Sequence, residues 1–429
     1  MKIFRSQKLQ ELALDGDLVR NVAALYGVQF AGYLLPLVTI PYLTRVLGPA
    51  TWGLVAFSQA FGAYASLAVE FGFGYSATRE VAKSRHSKDT LSNLVAGVVG
   101  AKVLLAVCAV TLAIVAEKWI PLFRRHAIFF WAAIFWALAQ SFSMFWYYQG
   151  FERMRFVAVL DVCGRALATA GIFILVRHPS DGWKVLGLQG AGALFSVIVA
   201  TVYVYREVPL RLPSWTLIWE TLQMGWNMFV FRGSLSLYST GNIFILGLFA
   251  PAEAVGFYAG AEKISRAFMG LLAPVHQSLY PRFSHLVKND RPTARRLARL
   301  TLLVMSAMGA LSSLVVFLAA PWIVRIILGK GFAPTIPVLR IMAALIFLDA
   351  VSTMLGMLWM VPLGLDRSFS RIVLAAGILN LALALTLAPH FAQIGVACAT
   401  VAAEVFGTST LYVILQRQGL NPLASPRRE

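Results

Sequence analysis

The run LVAGVVGAKVLLAVCAVTLAIVA, Leu94–Ala116, decides the fold of this chain. Lys102 is its only charged residue, and a helix needs about 20 such apolar residues to cross the hydrocarbon core of a bilayer. Stretches of this kind recur along the whole sequence. We count twelve, at about 21–46, 52–76, 94–116, 127–148, 156–176, 185–205, 225–249, 256–280, 298–320, 337–360, 372–388 and 394–415.

The composition agrees with a membrane protein. Hydrophobic residues make up 59% of the 429 positions and charged residues 13%, whereas soluble domains carry roughly 25% charged residues. The apolar runs are rich in Leu, Ala, Val and Phe and are about twice as long as the strands of a membrane β-barrel. The sequence therefore predicts an all-α integral membrane protein with twelve transmembrane helices and no large soluble domain.

The net charge of +18 is spread over short loops, so no basic domain is available to bind nucleic acid. If the N-terminus is inside, the inner loops hold about 23 Lys and Arg residues and the outer loops about 8. The positive-inside rule then places both termini in the cytoplasm. Residues 1–20 lack the apolar core of a signal peptide, so we expect a cytoplasmic N-terminal segment.

Two similar segments indicate that the chain is built in two halves. LGPATWGLVAF (Leu47–Phe57) and FAPAEAVGFYA (Phe249–Ala259) lie about 202 residues apart, after the first and seventh spans. Because an offset of six spans keeps the same orientation in the membrane, the two segments indicate a parallel repeat of two six-helix bundles. The alternative is a chance similarity of two Gly/Pro turns. The expected organisation is a segment 1–20, a bundle 21–205, a cytoplasmic linker 206–224, a bundle 225–415 and a cytoplasmic tail 416–429.

Span eight contains the segment YAGAEKISRAF, Tyr258–Phe268, with three charges too deep in the span to reach either interface easily. Glu262 and Arg266 are four residues apart on one helical face, and Lys263 adds a further positive charge. Along the same span, His276, Gln277 and Tyr280 extend this polar face. The pattern indicates either a water-filled cationic cavity or an ion network that joins helices.

Other spans carry isolated polar groups. Arg232 lies on a face of span seven with Ser236, Ser239 and Thr240, and Gln59 and Glu70 share a face of span two. Asp349 and Glu404 lie near mid-depth with no obvious local partner, so each either carries a coupling proton or binds a neighbouring helix while protonated. The ion-coupling candidates are Glu262, Asp349, Glu404 and Glu70.

Four segments resemble one family of transporters: RVLGPATWGLVAFSQAF (45–61), GFGYSATREVAKSRHSKDTLSNL (72–94), WYYQGFERMRFVA (146–158) and VGFYAGAEKISRAFMGLLAPVHQSLYPRFSHL (255–286). They are similar to the O-antigen and exopolysaccharide flippases, the polysaccharide transporter family of the multidrug/oligosaccharidyl-lipid/polysaccharide exporter superfamily. The similarity extends over nearly the whole chain, and the REVA and YQGFERM segments are its most specific parts.

The resemblance implies a V-shaped pair of six-helix bundles around a central cationic cavity in the bacterial inner membrane. It implies a monomer that moves an undecaprenyl-pyrophosphate-linked oligosaccharide to the outer leaflet by alternating access, driven by an ion gradient or the membrane potential. A polysaccharide polymerase and other assembly proteins would be its partners. Under this hypothesis Arg232, Lys263 and Arg266 bind the pyrophosphate, and Gln59, Gln277, Tyr258 and Tyr280 bind sugars.

Two other functions are open to a chain of this kind. A drug or organic-cation exporter of the same fold would depend on Asp349 or Glu404 and tolerate loss of the basic residues. A membrane enzyme would need a catalytic group in an outer loop, but the longest one, around APWIVRIILGKGFAPTIPV (Ala320–Val338), has no acid pair and no His. We therefore expect a transporter with no catalytic residue, no cofactor and no metal.

Overall fold

The computed structural model describes residues 38–423, and of residues 231 and 234–240 the backbone alone. The described chain is helical, and no strand occurs within it. Its helices are α1 (38–70), α2 (Phe73–Lys83), α3 (Lys88–Trp119), α4 (Pro121–Arg125), α5 (Ala127–Ser141), α6 (Phe145–Gly150), α7 (Met154–Leu175), a 3-10 turn (Pro179–Asp181), α8 (Gly182–Glu207), α9 (Trp215–Phe249), α10 (Ala252–Gly270), α11 (Ala273–Asn289), α12 (Arg291–Ile327), a 3-10 turn (Lys330–Phe332), α13 (Thr335–Thr353), a π-helix (Met354–Met360) and α14 (Asp366–Arg417).

The all-α prediction is confirmed, while the count of twelve spans stays a prediction. Eight helical stretches in the described range are long and apolar enough to cross a membrane. One of them, α14, contains predicted spans eleven and twelve, with the non-helical residue Ala392 between them. The start of predicted span one lies outside the described residues. Predicted spans seven and eight correspond to α9, α10 and α11, which are not among the eight.

The chain forms two compact units. The described part of the first consists of residues 38–47 and Ser58–Gly233, and that of the second of Gly48–Phe57 and 234–423. Helices α1 and α9 therefore contribute residues to both units. Helix α9 begins at Trp215, so the predicted linker 206–224 is helical in its second half.

In the first unit, the two most specific family segments pack against each other. Thr78 on α2 donates a hydrogen bond to the carbonyl of Trp146 on α6 (3.1 Å). Arg85, just beyond α2, donates to the carbonyl of Gly150 (2.8 Å) and forms an ion pair with Glu152 (2.6 Å). These segments therefore hold α2 against α6.

Lys102 is almost completely buried in the first unit, at 2% exposure. Its Nζ donates to the carbonyl oxygens of Ser141 (2.6 Å) and Ser143 (3.3 Å), where α5 ends and α6 has not yet begun. The last carbonyls of a helix have no partner within that helix, and a nearby Lys can satisfy them. Lys102 thus stabilises the break between α5 and α6, a role that its position in span three did not indicate.

We expect Lys102→Met to lower the thermal stability of the protein. The variant keeps the length of the side chain but removes the donor, and each buried carbonyl left without a partner costs about 1–3 kcal/mol. Thermal unfolding of the purified protein, followed by circular dichroism, measures the effect. Lys118→Met, at an exposed position, is the matched control, and equal melting temperatures for the two variants would show that the carbonyls need no lysine.

In the second unit, residues 48–57 pack against α10 at unusually short range. A Cβ on Gly53 would lie 1.7 Å from the carbonyl oxygen of Ala252, and a Cβ on Gly256 would lie 2.1 Å from that of Pro49. Only glycine lets two helical backbones approach this closely. The two segments whose similarity indicated a repeat therefore contact each other.

Candidate functional site

A polar cavity of 140 Å³ lies inside the second unit, between α9, α10, α13 and α14. It brings together residues up to about 160 positions apart, including three of the four ion-coupling candidates. Its lining consists of Asn242, Tyr258, Glu262, Ser265, Arg266, Met269, Met342, Leu345, Asp349, Thr400 and Glu404.

Glu262 and Arg266 form the ion pair that their spacing on α10 predicts. The Arg266 Nη2 and Nε atoms lie 2.8 and 3.1 Å from Glu262 Oε1. Helix α10 begins at Ala252, so these side chains start about 15–21 Å along the helix axis. Glu262 is 13% exposed and Arg266 54% exposed. The carboxylate is therefore only slightly exposed in the cavity wall, while the guanidinium stays accessible to an anion.

Asp349 and Glu404 line the same cavity from α13 and α14. Ser352 on α13 donates a hydrogen bond to Glu404 Oε1 on α14 (2.8 Å). This is a bond to a neighbouring helix, one of the two alternatives that the sequence left open for these carboxylates. Among the described lining residues, three carboxylates thus face one guanidinium. This cavity therefore has an acidic balance, which favours binding of a proton or another cation. The cationic cavity expected along span eight stays a prediction.

Lys263 does not line this cavity. Its Nζ lies 5.2 Å from the centroid of the Trp52 ring, a cation–π distance. Trp52 is buried and belongs to residues 48–57 of the same unit. The surplus charge that the sequence placed beside the Glu262–Arg266 pair therefore contacts an aromatic ring on another helix.

A hydrogen-bond network of uncharged side chains, which the sequence did not reveal, joins α9, α10 and α14 at the cavity. Asn380 donates from Nδ2 to Asn242 Oδ1 (2.9 Å), and Asn242 donates from Nδ2 to Thr400 Oγ1 (2.9 Å). The Tyr258 hydroxyl lies 3.3 Å from the same Thr400 oxygen. Both asparagines are buried. The two asparagines within apolar spans are the sequence signal for this network, because an uncharged amide in a membrane needs a hydrogen-bond partner.

Tyr258, a predicted sugar-binding residue, is completely buried, so its ring face is not accessible to a sugar in this conformation. The predicted continuation of the polar face through Gln277 and Tyr280 is also wrong. Helix α10 ends at Gly270, because Pro274 has no N–H to donate to the Gly270 carbonyl. Gln277 and Tyr280 therefore lie on the separate helix α11. They are partly buried and lie outside the cavity.

The remaining predicted site residues lie in the first unit. Arg232 Nη1 is 2.6 Å from Glu70 Oε1, and the guanidinium lies 5.9 Å from the centroid of the Tyr75 ring. The Gln59 amide donates to Gln189 Oε1 (3.1 Å). The side chains of Ser236, Ser239 and Thr240 lie outside the described part of the structure. Each unit thus contains one arginine–carboxylate pair formed by predicted site residues.

Comparison with known proteins identifies the family of this chain. Residues 18–287 match the family described as Polysaccharide biosynthesis protein. The chain belongs to this family. The Escherichia coli (strain K12) protein named "Putative O-antigen transporter" is 32% identical over 409 residues, which cover 94% of this chain and 98% of that protein. A relative of the same name from Shigella dysenteriae is 27% identical over 392 residues, or 90% and 97% of the two chains. The resemblance found in the sequence is confirmed.

Two solved structures, one of a flippase and one of a multidrug transporter, show the same fold as this chain. The lipid II flippase MurJ in an inward closed conformation matches with a TM-score of 0.68 at 12% identity, covering 93% of this chain and 87% of that chain. An inward-facing multidrug resistance MATE family transporter of the MOP superfamily matches at 0.67 and 14% identity, covering 91% and 96%. At these identities the likeness concerns the fold alone.

Proposed function

We propose that this protein is a flippase for an undecaprenyl-pyrophosphate-linked oligosaccharide, an O-antigen or exopolysaccharide repeat unit. It moves this lipid from the cytoplasmic to the outer leaflet of the bacterial inner membrane by alternating access, with both of its own termini in the cytoplasm. The name of the Escherichia coli relative, which is similar over almost the whole chain, supports the substrate class. A polysaccharide polymerase and other assembly proteins would act on the product, and the flippase itself would be monomeric and perform no catalysis.

The observation that carries the mechanism is the Glu262–Arg266 pair at the wall of an acidic cavity. A pyrophosphate offers Arg266 several oxygens for charge-assisted hydrogen bonds and so competes with Glu262. When Arg266 turns to the pyrophosphate, the Glu262 carboxylate would be left as an unpaired charge, which is costly in a poorly solvated place. It therefore takes up a proton or a cation together with Asp349 and Glu404. This exchange of partners couples substrate binding to ion binding.

The same logic extends to the other predicted site residues. Arg232 would exchange Glu70 for a phosphate oxygen in the first unit, so that Glu70 also becomes an ion-coupling group. Lys263 would add positive charge once it leaves Trp52. Gln59, Gln277 and Tyr280 supply amide and hydroxyl groups of the kind that bind sugars.

The acidic balance of the cavity favours one alternative, an ion-coupled exporter of drugs or organic cations with the same fold. Such a protein would place the cationic substrate itself against Asp349 and Glu404. It would then gain nothing from Arg266, whose positive charge repels a cation. The two functions therefore differ in which of these residues the substrate needs.

Asp349→Asn should separate the two functions. For a flippase, we expect the variant to lose stimulation by an imposed proton or sodium gradient, because the coupling carboxylate is gone, while slow leaflet exchange without a gradient remains. Proteoliposomes with a fluorescent lipid-pyrophosphate oligosaccharide measure this exchange. Asp366→Asn, at an exposed position at the start of α14, is the matched control. Gradient-driven accumulation of an organic cation that Asp349→Asn abolishes would instead establish the exporter.

A further inference from the structure

An apolar groove of 690 Å³ lies in the first unit between α3, α5 and α8, away from the polar cavity. It exists because α5 ends early, at Ser141, and leaves α8 uncovered beyond that point. Leu138 and Phe142 form one wall, and Ile198 and Val202 the other. Ile198 and Val202 are about half exposed, although both are strongly apolar. A concave apolar surface of this size, within the range of about 300–1,000 Å³ typical of ligand pockets, is suited to a hydrocarbon chain.

The length of the groove matches one leaflet of a bilayer. Its lining on α8 runs from Leu194 to Arg206, which is about 18 Å at 1.5 Å per residue. Half of the hydrocarbon core is about 15 Å thick. Phe135 borders the groove at the end away from Arg206, and its ring packs so closely on Gly190 that a Cβ there would lie 2.6 Å from it. A chain that enters at the Arg206 end would therefore meet the Phe135 ring after about the thickness of one leaflet.

The open end of the groove is positively charged. The guanidinium of Arg206, in the last turn of α8, lies over the Tyr203 ring at 5.0 Å. Within residues 38–423 no carboxylate is at ion-pair distance from it. The adjacent Glu207 is already bound by Arg153 (2.9 Å) and by the Tyr147 hydroxyl (3.2 Å). Among residues 38–423, Arg206 thus presents a charge that no carboxylate compensates, with Tyr205 beside it in the lining. Its place at the end of the span 185–205 is where lipid headgroups are expected.

We propose that this groove is a binding site for one anionic glycerophospholipid, with an acyl chain along α8 and the phosphate on Arg206. The charge selects an anionic headgroup over a zwitterionic one, whose ammonium group would meet the guanidinium. The length selects a chain that stays within one leaflet over a polyprenyl chain, which Phe135 would stop midway. The bound lipid covers the exposed face of α8 beside the break between α5 and α6 and stabilises the first unit there.

A second groove supplies an internal control. It has a volume of 560 Å³, lies on the other side of Phe135 and is lined by Trp131, Trp183 and Lys184. Lys184 differs from Arg206 because its charge is compensated by Asp181, whose Oδ1 lies 2.6 Å from Nζ. This groove is therefore expected to accept lipid chains without preferring anionic headgroups.

The test is native mass spectrometry of the purified full chain, titrated with phosphatidylglycerol or with phosphatidylcholine of the same acyl chains. We expect the wild type to bind one phosphatidylglycerol in preference to phosphatidylcholine. Arg206→Gln should lose about fivefold in affinity for phosphatidylglycerol, the effect of one basic residue on an anionic lipid surface. Lys184→Gln removes the same formal charge and should leave the preference unchanged. Ile198→Trp fills the groove and should weaken binding of both lipids.

Three results would overturn the proposal. An undiminished preference for phosphatidylglycerol in Arg206→Gln would place the anionic site elsewhere. Equal losses in Arg206→Gln and Lys184→Gln would reduce the effect to net charge. Complete displacement of the bound lipid by an equal concentration of a polyprenyl phosphate would assign the groove to an isoprenoid chain. Because Arg206 is exposed, loss of folding is not expected, and the elution volume in size-exclusion chromatography verifies this.

Discussion

Arg266→Gln is expected to slow leaflet exchange of a lipid-pyrophosphate oligosaccharide by about ten- to a hundredfold, the equivalent of losing one hydrogen-bonded contact to a charged group. The guanidinium is 54% exposed beside a cavity lined by Glu262, Asp349 and Glu404, the carboxylates to which we assign the coupling charge. Removing it leaves the pyrophosphate without this fixed cation. Exchange in proteoliposomes, scored against protein-free liposomes, measures the loss.

A double variant separates substrate binding from a structural ion pair. If the Glu262–Arg266 ion pair has only a structural role within α10, the double variant Glu262→Gln, Arg266→Gln leaves no unpaired charge. It should then recover activity. If Arg266 binds phosphate, the double variant stays as slow as the single one. Arg340→Gln is the matched control for charge, because that arginine is exposed and stacks on Phe317. Full activity of Arg266→Gln would refute the proposed role of this residue.

Gly53→Ala is expected to lower the stability strongly, because among the described glycines compared, its added Cβ would make the shortest contact. The new Cβ would lie 1.7 Å from the carbonyl oxygen of Ala252 and 2.8 Å from the backbone nitrogen of Gly256. Both are main-chain atoms of α10, so no rotamer change relieves the clash and the helices must separate. Overpacking of this kind costs about 1–3 kcal/mol or more. The melting temperature of the purified protein measures it.

The reciprocal variant Gly256→Ala meets the Pro49 carbonyl at 2.1 Å and should act in the same direction. Gly187→Ala is the control, because its Cβ would have only a Trp183 ring atom nearby, at 3.9 Å. If Gly53→Ala melts at the same temperature as Gly187→Ala, the close contact between residues 48–57 and α10 is not present in solution.

Local features of the fold could be predicted from the sequence. Hydropathy identified the apolar helices, and the spacing of Glu262 and Arg266 identified their ion pair, because both depend on residues within a few turns of one helix. The end of α10 at Gly270 could also be predicted from the sequence. Pro274 removes the hydrogen bond to that carbonyl. The prediction of a single span over residues 256–280 ignores this effect, and the helical positions of Gln277 and Tyr280 that follow from it are wrong.

The sequence by itself determined that this chain is helical, apolar enough for a membrane and a member of a polysaccharide biosynthesis family, because these properties follow from composition and short motifs. The tertiary structure decided the partner of each charge. Glu70 meets Arg232 and Ser352 meets Glu404 across separations of more than fifty residues, and Lys263 stacks on Trp52. Such pairs depend on how helices pack in space, and no local pattern in the sequence specifies that. For this reason the sequence of Tyr258–Phe268 shows that Glu262 and Arg266 can pair. Only the packing of α13 and α14 against this segment shows that Asp349 and Glu404 line the same cavity and make it acidic.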